Sequence, residues 1–198
     1  MSHSTTAKMS QRTTVKRHRE RAVPEEAKEI LARGLVAHLG FCQGEQPFVI
    51  PFAYHYDTAS PDHLYLHGSH ASRTLRHLAG SAPVCVTVTT VQGLVYSRSA
   101  MYHSINYESV VCFGRARTIT NREEKAALFE RMIGRYHPGR TAGRDYEAAS
   151  PAHLAATAVI EVRIEEMSAK ARRGGPLGPL DADPDAPGTC GVVGLFED

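Results

Sequence analysis

The stretch from Val84 to Val91 constrains the fold more than any other part of this sequence. It reads Val-Cys-Val-Thr-Val-Thr-Thr-Val, so Val84, Val86 and Val88 fall on one side of an extended chain. The other side carries Cys and Thr. A period of two is typical of a half-buried strand in an antiparallel sheet. Such a strand can bury its valine face only if further strands lie beside it, so the pattern predicts a sheet.

Five further runs have the composition of strands and are bounded by turn residues. Pro51 removes a ladder donor and predicts a sheet edge or a bulge, and Gly114 predicts a bulge or kink. The predicted strands are Leu35–Cys42, Phe48–Tyr56, His63–Leu66, Val84–Val91 with a continuation over Leu94–Ser99, Tyr107–Ile119 and Ala158–Ile164. Most of them form hairpins. We therefore predict a mainly β fold with flanking helices, in which six antiparallel strands curl into a small barrel.

The composition is that of a globular protein of ordinary domain size. Of the 198 residues, 42% are hydrophobic and 22% are charged, which is enough for a real core. The net charge of +2 gives no indication of a nucleic-acid partner, and we expect none. No apolar run approaches the roughly 20 residues that span a membrane, and the N-terminus has no apolar segment typical of a secretory signal. These features predict a cytoplasmic protein that does not bind membranes.

One domain accounts for most of the chain. We expect a polar, mobile tail over residues 1–15, a single domain over 16–170, and an irregular tail of that domain over 171–198, where Gly, Pro and Asp are abundant. The basic run from Lys16 to Arg21 is either a solvated face or an arm for an acidic surface. The predicted helices are Pro24–Arg33, a short helix after Ser72, a helix from Asn121 to about Tyr136, and a short helix from Ser150-Pro151.

The junction between the third strand and the next helix is a candidate anion site. Gly68 and Ser69 interrupt the strand pattern, and Ser72 is a favourable N-cap for the helix that follows. Free amides and the helix dipole would favour an anion there. Arg73 falls in the first turn, where a cation is unfavourable unless an anion neutralises it. The alternative is an ordinary capped helix with one solvated arginine.

Cysteines and histidines do not predict a metal site. The four cysteines are scattered, with no Cys-x-x-Cys pair, so reduced thiols are expected. His67 forms close pairs with His63 and His70, but the strand-to-loop setting does not place either pair on one helix face. No Cys or carboxylate completes a ligand set.

The order of these segments resembles the pyridoxamine-phosphate-oxidase-like flavoproteins, which are split β-barrels that bind FMN. It is most similar to the branch of Nim-type nitroimidazole-resistance proteins. The matching segments are Gly40-Phe41, Pro47–Pro51, Leu64–Ser69, Ser72-Arg73, Val84–Thr89, Ser97–Ala100, His103–Tyr107, Ser109–Gly114 and Ser168–Lys170. They span roughly residues 17–175, so the resemblance covers most of the chain.

The resemblance implies an FMN site at the interface of a homodimer. Arg73 would bind the phosphate, the strand from Val49 to Tyr54 would run along the flavin ring, and residues 103–109 would reach the flavin of the other subunit. His67 is either a polar group near the ring or a surface histidine at a strand end. The implied cofactor-binding residues are Val49, Ile50, Pro51, Tyr54, His67, Gly68, Ser69, Ser72, Arg73, Asn106, Tyr107, Ser109 and Lys170.

The activity that the resemblance implies is reduction of small electron-poor organic molecules, with no side chain assigned as an acid–base catalyst. Two departures put the substrate in doubt: Glu108 stands where relatives tend to have Arg, and no Trp accompanies Gly191-Val192. The alternatives are a non-catalytic FMN-binding or storage protein, or a barrel that binds haem or a deazaflavin. For the dimer surface we predict the apolar strands Val84–Val91 and Val110–Phe113.

Overall fold

The computed structural model describes residues 10–195 of the chain. The strands are β1 (Val36–Gln43), β2 (Gln46–Tyr56), β3 (His63–Ser69), β4 (Gly80–Tyr96), β5 (Ser104–Ile119), β6 (Thr157–Arg172) and β7 (Gly191–Gly194). The helices are α1 (Ala27–Arg33), α2 (Arg73–Leu78), α3 (Arg122–Tyr136) and α4 (Pro151–Ala156), with 3-10 turns at Arg19–Arg21, Pro24–Glu26 and Ala100–Tyr102. The tail expected over residues 1–15 lies mostly outside the described residues.

Six strands form a closed antiparallel ring. Their order is β1-β2-β3-β6-β5-β4, and β4 pairs back with β1. β7 adds a short seventh strand beside the far end of β4. The ring encloses the main core, in which Leu39, Tyr54, Leu66, Val86 and Ile160 are fully buried. The predicted six-stranded, mainly β fold is therefore confirmed.

The alternation in β4 is confirmed, and the structure shows which of its two faces is buried. Val84, Val86 and Val88 are buried, as are Val110 and Cys112 on β5. These side chains line the inside of the ring, because the pairing of β4 with β1 closes the sheet on that face. The valine-rich strands therefore do not offer their valine faces to a second copy of the chain.

One part of β2 is paired on one side only. Residues 46–53 pair with β1, whereas β3 pairs only with Tyr54–Tyr56. The main chain of residues 46–53 consequently has no strand on its second side among the described residues. Pro51 lies on this free edge, as predicted, where a missing amide donor has little cost.

Two strands extend beyond their predicted ends. β3 continues through Gly68 and Ser69, which pair with Ala158 and Thr157, so the predicted break at Gly68 was wrong. β6 continues to Arg172 because the first half of β5 supplies a full set of partners for it. Neighbouring strands, and not local propensity, determine both ends. The bulge at Gly114 is confirmed by a register shift between Phe113 and Gly114.

Helices α2, α3 and α4 begin where the sequence predicts, whereas the helix predicted from Pro24 starts as a 3-10 turn and becomes α1 only at Ala27. The side chains of Ser72 and Asn121 accept hydrogen bonds from the amides of Leu75 and Glu124, which caps α2 and α3. α3 packs outside the ring through Leu128 and Phe129. None of the helices within residues 10–195 has the length and apolar character needed to cross a membrane.

Candidate functional site

The junction between β3 and α2 keeps most of its amides occupied. The Ser72 amide donates to the Ser69 carbonyl at 2.9 Å, and the His70 amide donates to the Ala156 carbonyl at 3.0 Å. The amides of Arg73 and Thr74 have no partner within residues 10–195. Since α2 has only six residues, its dipole is small, and most of the attraction for an anion must come from side chains.

Arg73 is the most available cation at this junction. Its side chain is exposed and makes no salt bridge within the described part of the chain. The guanidinium lies over the Phe48 ring, with its central carbon 4.8 Å from the ring centroid. Phe48 in turn stacks on Phe41 at 5.3 Å. This stacking places the cation beside the free edge of β2.

Two hydroxyls belong to residues within four positions of Arg73 at the same junction. The side chain of Ser69 accepts the Ala71 amide at 3.1 Å, and that of Ser72 accepts the Leu75 amide. In both cases the hydroxyl proton is left to donate. Gly68 permits the close approach of α2, because a Cβ there would lie 2.9 Å from Leu75 Cδ1. One short segment from Ser69 to Thr74 thus carries an arginine fork, two hydroxyls and two open amides, which are groups that bind phosphate.

The residues predicted along β2 fall into two groups. Val49 and Pro51 face outward, and Val49 is 66% exposed, whereas Ile50 faces the core. Their main chain lies on the free edge of the ring. Tyr54 differs, because its side chain is fully buried and its hydroxyl donates to the Leu31 carbonyl at 2.5 Å.

Side chains of α3 form hydrogen bonds with the main chain of Tyr54. The Tyr136 hydroxyl accepts its amide at 3.0 Å, and Arg135 donates to its carbonyl. A flavin beside β2 can therefore meet free main chain only from Gln46 to Ala53.

His67 faces α3 and not the junction. Its ring lies edge-on to Phe129 at 5.3 Å, and its Nδ1 is buried without a hydrogen-bond partner in residues 10–195. Burial lowers the pKa of His67, which favours the neutral imidazole. Any contact of His67 with a ligand at the junction would come from its main chain.

A second group of predicted residues lies on β5 and β6. The amide of the Asn106 side chain donates to the Gly174 carbonyl at 3.2 Å and its oxygen accepts from Arg172, so this side chain anchors the tail. Tyr107 pairs with Arg172. Ser109 pairs with Lys170 and donates to its carbonyl at 3.4 Å.

Two of the predicted residues lie far apart along β6. Ser69 pairs with Thr157 at the start of β6, and Tyr107 pairs with Arg172 at its end. β6 has 16 residues, which at about 3.3 Å each correspond to about 50 Å of extended chain.

Sequence reasoning missed the partners of Glu108. This carboxylate is 3% exposed and accepts three hydrogen bonds from Arg33, at 2.9, 3.0 and 3.3 Å, and one from Arg173 at 3.4 Å. The position flagged as a reversed charge is thus neutralised inside the chain. No local signal connects Glu108 to residues 65 and 75 positions away.

A cavity of about 460 Å³ lies on the outer face of the ring, and the predicted site residue Val49 lines it together with Phe48, over which Arg73 stacks. Gly40, Cys85 and Phe113 belong to its wall. Arg12 stacks over the Phe113 ring at 4.7 Å and donates to Glu166 at 3.0 Å. None of the residues that line this cavity is a histidine.

Comparison with known proteins determines the family. The family model for pyridoxamine 5'-phosphate oxidase matches residues 24–171, which is most of the chain. The chain belongs to the pyridoxamine 5'-phosphate oxidase family. The resemblance inferred from the sequence is thereby confirmed, and the pyridoxamine 5'-phosphate oxidase-like family binds flavins. A search of curated proteins found no significant match to this family member.

Solved structures resemble this pyridoxamine 5'-phosphate oxidase family member over most of its length. The flavocytochrome Anf3 from Azotobacter vinelandii is 32% identical, with 96% of this chain and 86% of that chain covered and a TM-score of 0.79. A FAD and heme binding protein from Mycobacterium smegmatis is also 32% identical, with coverage of 86% and 81% and a TM-score of 0.76.

A third structure supports the fold alone. It is a protein from Bacteroides thetaiotaomicron assigned to 5-nitroimidazole antibiotic resistance, which is 22% identical, with coverage of 76% and 86% and a TM-score of 0.60. Its similarity confirms the split-barrel architecture of this pyridoxamine 5'-phosphate oxidase family member. At this level of sequence identity, the activity of one protein does not establish that of the other.

Proposed function

We propose that this protein is a flavin-dependent oxidoreductase that reduces small electron-poor organic molecules. The observation that carries the proposal is the exposed guanidinium of Arg73, which has no anionic partner within residues 10–195. It lies over Phe48 at the free edge of β2, on the same short segment as Ser69 and Ser72, in a chain whose family binds flavins. A phosphate at this point would neutralise the cation and use donors that the protein leaves open.

The chain's own residues bind and orient the flavin. Arg73, Ser69 and Ser72 hold the phosphate, and the free main chain from Gln46 to Ala53 faces the polar edge of the ring. The apolar side chains of Phe48 and Ile50 exclude water beneath it. The bound flavin supplies the hydride or electron transfer.

The flavin expected from the resemblance is FMN. FAD is the competing ligand, because both relatives at 32% identity carry FAD or a flavocytochrome in their names. Arg76 lies one turn after Arg73 on the same helix face, where it would meet a second phosphate. We therefore expect FAD binding to depend on Arg76 and FMN binding not to depend on it.

We also propose that the protein is a homodimer with two equivalent flavin sites. Ser69 and Tyr107 pair with opposite ends of β6, which supports a site that takes the first group from one copy and the second group from the other. A twofold axis would complete both sites at once. The partners are then a second copy and a small-molecule substrate.

Flavin fluorescence titration tests the phosphate site. Arg73→Ala should leave the fold intact and weaken FMN binding by about 2–4 kcal/mol, or about 30- to 1000-fold, while riboflavin binding changes far less. Arg76→Ala is the matched control: it should leave FMN binding unchanged and weaken FAD binding only if FAD is the ligand. Equal losses of FMN and riboflavin in Arg73→Ala would contradict the phosphate assignment.

A second candidate is a redox protein that binds both flavin and haem, as the names of the two relatives at 32% identity suggest. His38 and His70 are exposed, and their imidazoles make no hydrogen bond within residues 10–195, so either is free for an axial bond. The visible spectrum of the purified protein separates the candidates, because haem gives a Soret band and a deazaflavin lacks the flavin bands. Reduction of an acceptor through repeated cycles distinguishes an oxidoreductase from a flavin-storage protein.

A further inference from the structure

A small cavity lies beside the end of β6, between the first 3-10 turn of the chain and the start of the C-terminal tail. Its volume is about 270 Å³, and its wall holds three arginines, Arg21, Arg172 and Arg173, with one carboxylate, Glu20. Sites for drug-sized ligands have volumes of about 300–1,000 Å³, so this cavity suits a smaller group. None of the residues that line it is among the cofactor-binding residues implied by the family resemblance. We call it the arginine cavity.

Arg172 is a buried cation that no carboxylate neutralises within residues 10–195. It is only 7% exposed. Its guanidinium donates to the carbonyls of Gly174 at 3.1 Å and Gly175 at 3.0 Å, and to the side-chain oxygen of Asn106. These acceptors are neutral, so they use donors of the guanidinium without balancing its charge. Because buried charges in proteins are ordinarily paired, the charge of Arg172 calls for an anion.

The next residue, Arg173, provides the contrast. It donates to Glu26 at 2.9 Å and to Glu108 at 3.4 Å, and the hydrogen bond with Glu26 raises the pKa of Arg173. Burial instead lowers the pKa of Arg172, and the charge of Arg21 lowers it further. Two adjacent arginines thus have opposite pKa shifts, since only Arg173 has carboxylate partners in the described part of the chain.

Arg21 adds a second cation to the wall of the arginine cavity. Its side chain is 25% exposed, and its one ion pair within residues 10–195 is with Glu20, whose Oε1 lies 3.8 Å from Nε. That carboxylate is 68% exposed and also lies 3.1 Å from His18 Nδ1. A solvated carboxylate at this distance balances little of the charge. The cavity therefore carries an excess of positive charge.

The arginine cavity also leaves hydrogen-bond donors without a partner. A guanidinium has five N–H groups, and the Nε of Arg172 has no acceptor within residues 10–195. The side chain of Arg21 makes no hydrogen bond in that part of the chain either, since its contact with Glu20 at 3.8 Å is too long for one. Guanidinium groups bind the oxygens of phosphates and carboxylates through paired N–H donors. Charge and open donors thus favour the same kind of ligand.

We propose that the arginine cavity binds a small oxyanion, a phosphate or carboxylate group, between Arg21 and Arg172. The anion supplies the negative charge that Arg172 lacks and accepts hydrogen bonds from both guanidinium groups. It also links the 3-10 turn Arg19–Arg21 to the end of β6. The main chain already brings these two parts together, because Ala22 forms a bridge with Lys170.

This anion site is separate from the phosphate site proposed at the junction. No residue from Ser69 to Thr74 lines the arginine cavity, and none of its arginines belongs to α2. Removal of Arg21 should therefore leave FMN affinity at the wild-type value, whereas removal of Arg73 should not. A fluorescence titration in which Arg21→Gln loses FMN affinity would place Arg21 at the flavin and contradict a separate site.

Isothermal titration calorimetry with inorganic phosphate tests the site. The titrations use the Arg73→Ala chain, because the junction is itself proposed to bind phosphate, and sodium chloride of matched ionic strength is the reference. One phosphate should bind per chain, and Arg21→Gln in this background should weaken binding by about tenfold or more. Since Arg21 makes only a long surface contact with Glu20, the variant should fold normally. An Arg73→Ala chain that binds no phosphate would overturn the inference.

Arg19→Gln is the matched control. Arg19 lies in the same 3-10 turn as Arg21 and is exposed, but it does not line the arginine cavity. Its removal takes the same charge from the chain and should leave phosphate binding unchanged. If Arg19→Gln and Arg21→Gln weaken phosphate binding equally, the attraction comes from net charge and the site does not exist.

Thermal unfolding provides a second measurement for Arg172, which also holds the tail. Phosphate should raise the Tm of the Arg73→Ala chain, because a ligand that binds only the folded state stabilises it. Arg172→Gln in this background should abolish that increase, whatever its own Tm. A phosphate-dependent increase of the same size in both chains would contradict the role of Arg172. Acetate in place of phosphate completes the test: the anion that raises the Tm more at equal concentration identifies the group, and no increase with either anion would overturn the proposal.

Discussion

The junction at Arg73 and the β4–β5 connection at Arg98 use the same kind of side chain in opposite ways. At the junction, the guanidinium is exposed and has no anionic partner among the described residues, and the bonds around it join residues close in sequence. In the β4–β5 connection, Arg98 donates to several carbonyls of the tail more than 80 residues away. Hydrogen-bond donors without a protein partner indicate a ligand-binding site. Hydrogen-bond donors that all have protein partners indicate a structural role.

The bulge at Gly114 lies within β5, and we expect its substitution to have the largest effect on the free energy of unfolding. A Cβ at Gly114 would lie 2.0 Å from the Arg163 carbonyl oxygen, so the β5–β6 pairing must shift. We expect Gly114→Ala to lower the free energy of unfolding by about 3 kcal/mol, measured by urea denaturation. Gly134→Ala is the control, because no atom lies within 4 Å of its added Cβ. Equal stability of the two variants would contradict the prediction.

The start of β5 carries a buried charge at Glu108, and the next largest effect should come from removing its partner. Arg33→Ala leaves the carboxylate of Glu108, at 3% exposure, with only Arg173 at 3.4 Å. We expect a loss of about 2 kcal/mol in the free energy of unfolding, because a buried charge loses most of its compensation.

Glu29→Ala is the control for Arg33→Ala. It removes the other carboxylate near Arg33, which lies 3.8 Å away at the surface, and should cost about 0.5 kcal/mol or less. If the two variants lose the same stability, the burial of Glu108 does not determine the loss.

Substitution of the helix N-cap at the junction should have a smaller effect on the free energy of unfolding. Ser72→Ala removes the N-cap of α2 and should cost about 1 kcal/mol of stability. Asn121→Ala removes the cap of α3 at a similar cost. Only Ser72→Ala should also weaken FMN binding in a fluorescence titration, since only Ser72 lies at the proposed phosphate site. FMN affinities that fall equally in both variants would remove Ser72 from that site.

His55 and His67, which lie near α3, should have the smallest effect on the free energy of unfolding at neutral pH. Burial lowers the pKa of His55, with Arg135 and Arg131 adding to it, and burial lowers that of His67. Both folded values lie below the ordinary 6.5, so the unfolded chain binds more protons as the solution becomes acidic. Their contribution to stability is therefore complete above that value and is lost as the pH falls below it.

This pH dependence can be measured by urea denaturation at about pH 7.5 and about pH 5.5. The wild-type free energy of unfolding should fall at the lower pH, and His55→Phe should reduce that fall. His70→Gln is the control, because His70 is exposed. A fall of the same size in wild type and His55→Phe would mean that His55 does not cause it.

Local interactions explain what could be predicted at the candidate site. The caps at Ser72 and Asn121 depend on residues within one helical turn, so their sequence signals were sufficient. The free edge at Pro51 was also predictable, because a proline has no amide to donate. The end of β3 was wrong because its pairing with β6 overrides the weak strand propensity of Gly68.

The sequence by itself determined the six strands of the ring, the starts of α2, α3 and α4, the family resemblance and the cation at Arg73, because periodicity and helix capping depend on neighbouring residues. Only the tertiary structure decided that the β4 valines face inward, because closure of β4 on β1 selects which face is buried. It also decided the pairing of Glu108 with Arg33 and of Arg98 with the tail, and the separation of Arg73 from Asn106 along β6. These contacts join residues far apart in the chain, and no local pattern encodes which distant partner a side chain will meet.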